Sequence, residues 1–216
     1  MIYSAKHNYL FVHIPKTGGT SMALALERRA ARDDIMLGDT PKARKRRERV
    51  KDAVSAGRLW KHSSLRDLDG LLTPAQISNA RVFTMVRNPW DRMVSYYHWL
   101  RAQDFSHEAV RIAKAAEFSQ FLNHAHTQAT FRANPYASYV TDRDGRECCD
   151  LFVRLEHLTE DLPKLEALIG LKLGVLPHEN ASNRAKRFQT YYTHADRNLL
   201  AELCAADIER FRYVFE

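Results

Sequence analysis

Residues 15–21 read Pro-Lys-Thr-Gly-Gly-Thr-Ser, a set whose types and spacing suit an anion. Two adjacent glycines allow backbone angles that side chains forbid, so N–H groups can converge on one point. A helix opening there adds about half a positive charge at its N-terminus. Lys16 adds a full charge, and Thr17, Thr20 and Ser21 add hydroxyl donors. The plainer alternative is an ordinary strand-to-helix turn with a surface lysine. The stretch is not a Walker A loop, which needs its lysine after the glycines; here Lys16 precedes Gly18 and Gly19. A second anion candidate is Arg87, whose planar fork suits two phosphate oxygens, with Ser95 eight residues later.

Both sets need elements to position them. Tyr9–Ile14 is short, apolar and rich in β-branched and aromatic residues, which predicts a buried strand that Pro15 stops. Thr20 or Ser21 is the expected cap of a helix carrying Met22, Leu24 and Leu26. Arg81–Val86 predicts a second buried strand that delivers Arg87. Asn88-Pro89 then opens a helix with Trp90, Met93, Val94 and Tyr97 on its apolar face and Asp91, Arg92 and Ser95 opposite. Leu59–His62 reads as a short strand or extended segment, and Thr73-Pro74-Ala75-Gln76 as a capped helix start. Helical patterning runs from Ser106 to about Ala125, a third strand spans Leu151–Leu155, and helices follow from about Thr159 and Thr193. Residues 176–189 are polar and irregular. Strands separated by helices predict an α/β fold, a central parallel sheet flanked by helices, with ligands beyond the carboxyl ends of its strands. No repeat or long linker divides the chain, so residues 1–216 are expected to form one domain.

The 216 residues carry a formal charge of +7, which points to an anionic partner: nucleic acid, a polyanionic cofactor or an acidic glycan. Lys42–Lys51 concentrates seven basic residues and one acid, either as a solvated helix face or mobile excursion or as a rim for an anionic acceptor. Cys148, Cys149 and Cys204 are too few, and odd in number, for a disulfide framework, and no His/Cys cluster has zinc spacing. No apolar run approaches the ~20 residues that span a bilayer, and the N-terminus lacks the signal-peptide pattern.

Lys16–Ser21 resembles the 5′-phosphosulfate loop of the PAPS-dependent sulfotransferases, especially the carbohydrate branch and its bacterial relatives. Val86–Tyr97, VRNPWDRMVSYY, resembles their 3′-phosphate motif R-x7-S in its fuller form. The resemblance implies a P-loop-like sulfotransferase fold. It assigns donor binding to Lys16, Thr17, Gly18, Gly19, Thr20 and Ser21 and to Arg87 and Ser95. Asn183, Arg184 and Arg187 are further donor contacts in a C-terminal block that also resembles the family. Trp60-Lys61-His62 stands where the glycan 2-O- and 6-O-sulfotransferases place a histidine base, so Lys16 and His62 are the implied catalytic pair. His98, His107 and Glu179 stay open as alternative bases, and His13 reads as structural.

The implied reaction moves the sulfuryl group of PAPS in line to an acceptor hydroxyl, leaving PAP, with no metal. The acceptor is a carbohydrate, as glycan or glycolipid, rather than nucleic acid. The animal Golgi enzymes carry a membrane anchor and stem that this chain has no room for, so a cytoplasmic, bacterial protein is expected. The rival readings are a small P-loop kinase, which would need a Walker A loop and Mg²⁺ ligands, and a non-enzymatic binder of nucleic acid built on the basic run.

Overall fold

The computed structural model describes residues 1–177, 185 and 187–216. Its strands are β1 (Ile2–Ser4), β2 (Tyr9–Val12), β3 (Ile35–Met36), β4 (Arg81–Val86) and β5 (Leu151–Arg154). Its helices run α1 (Gly19–Arg28), α2 (Pro41–Arg46), α3 (Pro74–Asn79), α4 (Pro89–Arg101), α5 (Glu108–Ala115) and α6 (Phe118–Asn123). They continue with α7 (Ala125–Ala133), α8 (Tyr136–Tyr139), α9 (Leu158–Ile169), α10 (His194–Leu203) and α11 (Ala205–Phe211). The chain divides into two compact units, Met1–Val86 with Tyr136–Asn180, and Arg87–Pro135 with Ala181–Glu216.

The first unit holds a five-stranded sheet in the order β3-β1-β2-β4-β5. The strands read from sequence, β2, β4 and β5, are parallel, with Val12 beside Thr84 and Val86 beside Arg154. The sheet is mixed rather than wholly parallel, because β1 runs antiparallel to both β2 and β3. These two short strands extend the edge that the sequence pattern leaves blank.

Alternation within β2 explains its uniform apolarity. Tyr9 and Phe11 join Phe83, Met85 and Val153 against α1 and α9, while Leu10 and Val12 join Val82 in a second core with Leu65, Leu68, Leu72 and Ile77. A strand covered on both faces needs hydrophobic residues at every position, and Tyr9–Val12 are fully buried. α3 forms as its sequence predicts, with a reciprocal capping box between Thr73 and Gln76 and Pro74 in the first turn.

The basic run is ordered here, as α2 and a short 3₁₀ turn at Arg47–Val50. Several of its charges bind backbone carbonyls instead of solvent. Lys42 Nζ donates to Glu27 O at 2.7 Å, Arg46 Nη1 to Asp34 O at 3.1 Å and Arg49 Nη1 to Arg32 O at 2.6 Å. Lys42 thereby satisfies a carbonyl at the C-terminal end of α1, where cations are favoured.

The second unit is helical and packs around aromatic rings. Tyr97 lies 5.5 Å from Phe118 and 5.3 Å from Phe121 between ring centroids, and Trp90 lies 5.4 Å from Phe215. Polar tips of these rings find backbone partners, as buried aromatics require: Tyr97 Oη donates to Ala116 O at 2.9 Å and Trp90 Nε1 to Arg197 O at 3.1 Å. α4 is amphipathic only in outline. Arg92 and Ser95, expected on its solvent face, are both buried. The Arg92 guanidinium stacks 5.3 Å over the Phe131 ring.

Candidate functional site

β2 ends at Val12, and the chain reaches α1 through His13–Gly18. Three features shape this connection, the candidate anion loop. Lys16 adopts φ 67°, a left-handed conformation that is costly for a residue with a Cβ. Gly18, at φ 86°, is the N-cap of α1 and makes no side-chain cap hydrogen bond. The helix therefore starts at Gly19, and neither Thr20 nor Ser21 is the cap that the sequence predicts. The first helical hydrogen bond runs from Ser21 N to Gly18 O at 3.1 Å, so the N–H groups of Gly19 and Thr20 precede the intrahelical ladder.

Gly18 is favoured by its left-handed φ of 86°, and Gly19 by lack of room. A Cβ on Gly18 would stand 2.9 Å from Leu155 Cδ1, and one on Gly19 would run into the His13 ring, 2.8 Å from its Cγ. Thr17 is buried, and its hydroxyl donates to Ile14 O at 2.9 Å. That hydrogen bond closes the turn.

His13 and His62 meet at the carboxyl end of β2. His62 does not lie on a strand; residues 60–63 form a turn closed by Ser63 N donating to Trp60 O at 3.2 Å. The turn brings His62 Nδ1 within 2.7 Å of His13 O, and the two rings meet edge-on at 4.6 Å. A carbonyl oxygen only accepts, so Nδ1 carries the proton. The neutral ring then keeps its lone pair on Nε2. His13 is buried and its pKa is held well below the usual imidazole range, first by burial and then by His62, the amino terminus, Lys61 and Lys16. One imidazole of the pair is locked neutral; the other is half-buried and oriented.

The second anion candidate belongs to the helical unit. Asn88 caps α4 by accepting from Trp90 N at 3.1 Å, and its amide donates to Val214 O at 2.8 Å. Arg87 donates from Nε and Nη2 to Asp91 Oδ2 at 2.9 and 2.6 Å. The sequence pattern places Asp91 only on a polar face. It orients Arg87, and the i, i+4 spacing is the signal that could have found it. Ser95 lies further along α4, buried.

Other candidates separate. Arg187 is exposed at the start of a 3₁₀ turn, Phe188–Tyr191. Asn183, Arg184 and Glu179 lie outside the described residues. His107 Nδ1 accepts from Ala109 N at 3.1 Å, so it caps α5. His98 packs edge-on between Tyr97 and Tyr191, at 5.3 and 5.1 Å. Cys148 and Cys204 are thiols whose pKa burial raises, Cys204 to about 12. Among the described residues there is no group of three or more His, Cys, Asp or Glu that could hold a metal ion. Nor is any helix among them long and apolar enough to cross a membrane.

Comparison with known proteins gives two structural likenesses and a family. Two solved structures cover most of the chain at low identity. A mouse sulfotransferase, SULT7A1 complexed with PAP, is 17% identical with a TM-score of 0.46, covering 97% of this chain and 86% of its own. A sulfotransferase from Alicyclobacillus acidocaldarius is also 17% identical, with a TM-score of 0.35, covering 97% of this chain and 100% of its own. No curated protein matches. The profile of the sulfotransferase family matches residues 1–214, nearly the whole sequence, and the chain belongs to that family.

Proposed function

We propose that this enzyme transfers the sulfuryl group of PAPS to a carbohydrate hydroxyl, with His62 as general base. The observation that carries the proposal is the position of His62 at the carboxyl end of β2, its Nδ1 2.7 Å from the carbonyl oxygen of His13, the first residue of the connection that holds Lys16. A strand-end position of this kind is where parallel sheets bind ligands.

The donor's phosphosulfate fits what the loop offers. Gly19 has no room for a Cβ, Gly18 sits in the left-handed region, and the first N–H groups of α1 stand before the helical ladder. Lys16 supplies positive charge on the 5′ side, where charge builds on the bridging oxygen during transfer. When bound, PAPS supplies the sulfuryl group and leaves as PAP. Arg87 and Ser95 take the 3′-phosphate in this reading, on the strength of their motif. Arg187, with Asn183 and Arg184, is the further donor contact. The role of His62 is to accept the acceptor's hydroxyl proton at Nε2, while its Nδ1–H stays on His13 O. The reading assigns no step to a metal.

The test is transfer of label from PAPS to a panel of saccharides, run with the wild-type protein and with His62→Ala. His62→Ala is expected to lose ~10²–10⁴-fold in turnover, with the acidic limb of the rate–pH profile gone and PAP affinity nearly unchanged. In parallel, PAP should raise Tm well above what ATP achieves, because ATP lacks a 3′-phosphate. Unchanged turnover in His62→Ala would move the base elsewhere; equal shifts by ATP and PAP would reject the Arg87 and Ser95 assignment.

A further inference from the structure

A neutral imidazole carries its proton on either ring nitrogen, and the partner of one nitrogen decides which. His107 and His124 each accept a backbone N–H at Nδ1, both at 3.1 Å, so in their neutral rings Nε2 holds the proton. His62 is the opposite case, because its Nδ1 donates to His13 O at 2.7 Å. That bond joins residues far apart in sequence, so it lasts only while the segment carrying His62 is held in place.

Two side chains hold it. Ser63 is fully buried, and its hydroxyl lies 2.9 Å from both Arg58 O and Trp60 O. The same oxygen accepts from Trp60 N at 2.9 Å, so one serine ties the interior of the turn. Asp67 ties the two ends. After the turn, its Oδ2 accepts from Ser64 N and from Ser64 Oγ, each at 2.8 Å, and Ser64 Oγ accepts from Asp67 N at 3.3 Å. This reciprocal pair has the form of a capping box. Before the turn, Gly57 N donates to Asp67 O at 3.3 Å, and a Cβ on Gly57 would run into Asp67 Oδ1. Residues 57–64 therefore leave one aspartate and return to it, with His62 between. The Trp60 ring meets His62 edge-on at 4.9 Å from within the same segment.

We propose that Ser63 and Asp67 are positioning residues that hold His62 on His13 O and so set its tautomer, with the proton on Nδ1 and the lone pair on Nε2. The proposal rests on the reading of His62 as base. In the other tautomer the ring presents an N–H where the acceptor hydroxyl needs a lone pair, and that fraction of the enzyme is idle whatever the pH. Ser63 and Asp67 act through His62 and take no part in binding the donor.

The experiment records long-range proton–nitrogen correlations of the imidazoles at about pH 8, where neutral rings dominate. It compares wild type, Ser63→Ala, Asp67→Ala and Asp67→Asn, with His62→Gln to identify the His62 signal. Wild type should show His62 as Nδ1–H, beside the Nε2–H pattern of His107 and His124. Ser63→Ala and Asp67→Ala should move His62 to a mixture in which Nε2–H predominates, while His107 and His124 keep their pattern. Asp67→Asn retains an oxygen acceptor for Ser64 and should retain the wild-type His62 signal. Turnover with labelled PAPS should fall with the Nδ1–H fraction, about tenfold where about a tenth of it remains, with the KM for PAPS little changed. If Ser63→Ala does not fold, the two Asp67 variants make the same comparison. A His62 that keeps Nδ1–H in both alanine variants, an Nε2–H ring in wild type, or loss of the His107 and His124 patterns together with that of His62 would overturn the proposal. If the tautomer follows the variants but His62→Gln keeps wild-type turnover, the base assignment falls and the positioning role stands.

Discussion

The two anion candidates are built from different materials. In the sheet unit, residues 15–20 offer a candidate built of backbone: a left-handed Lys16, a left-handed Gly18 and a Gly19 pressed against the His13 ring. In the helical unit, Arg87 offers a candidate built of one side chain, held by Asp91 through two hydrogen bonds. A backbone site gains direction at the cost of conformational strain, and every atom that forms it is tied to the fold. A side-chain site leaves the fold nearly indifferent and puts its whole function in one charge and one neighbour. The first kind suits the stabilisation of charge that appears only during reaction. The second suits steady binding of a group that carries the same charge throughout.

That contrast predicts opposite kinetic signatures, and this is the largest effect expected. Lys16→Ala should cost ~10²–10³-fold in turnover, the usual loss when one preorganised charge-stabilising group is removed, with PAP affinity little changed. Arg87→Ala should do the reverse, weakening PAP about tenfold or more while turnover at saturating donor stays close to wild type. Measuring both parameters in both variants decides the matter. If the two variants lose the same parameter, the division of labour between the sites is wrong.

How far this was legible in the sequence follows the same division. The buried strands β2, β4 and β5 declare themselves because covering on both faces forces unbroken apolar runs. β1, three residues long, and β3, two residues long, are too short to carry a period. Leu59–His62 mimics a strand by composition, yet Ser63 folds it into a turn through hydrogen bonds that a hydrophobicity pattern does not encode. The glycines of the loop could be read as an anion site. The choice of Gly18 over Thr20 or Ser21 as the cap rests on its left-handed backbone, and Thr17 closes locally onto Ile14; residue types alone encode neither detail. The mixed direction of the sheet begins in a local hairpin, with Ser4 opposite Tyr9, built from strands too short to show a pattern, whereas Arg92 packs against Phe131, distant in sequence.

The backbone site should also be breakable without touching any charge. Gly19→Ala places a Cβ in the His13 ring and is expected to destabilise the protein by about 1–3 kcal/mol, the range for overpacking a tight site. His13 adds a pH signature. Its folded pKa lies well below 6.5, so the folded protein keeps it neutral where the unfolded chain protonates it. Unfolded chains then bind more protons, and stability falls as pH drops below about 6.5, at up to ~1.4 kcal/mol per unit. His13→Gln should flatten the dependence of Tm on pH between about 6.5 and 5 relative to wild type. A slope identical to wild type would show that His13 is charged in the folded state, and that its ring does not rest neutral against Gly19 and His62.

The smallest effect is the most specific to the side-chain site. Asp91 both orients Arg87 and offsets its charge, in side chains that are 14% exposed for Arg87 and 19% for Asp91. Asp91→Asn keeps an oxygen acceptor for the guanidinium but removes the competing negative charge, so PAP should bind about threefold more tightly, the scale of a partly screened ion pair. Asp91→Ala removes charge and acceptor together. Arg87 then loses its orientation, and PAP should bind more weakly than to wild type. Asp91 also lies in the first turn of α4, where a negative charge is favoured, so both variants should lose about 0.3–1 kcal/mol of stability. Opposite signs for PAP affinity, on top of equal small losses of Tm, would separate orientation from charge at Arg87. Two variants that shift PAP affinity in the same direction would mean that Asp91 acts through charge alone, or through orientation alone, and the side-chain site would be simpler than its geometry suggests.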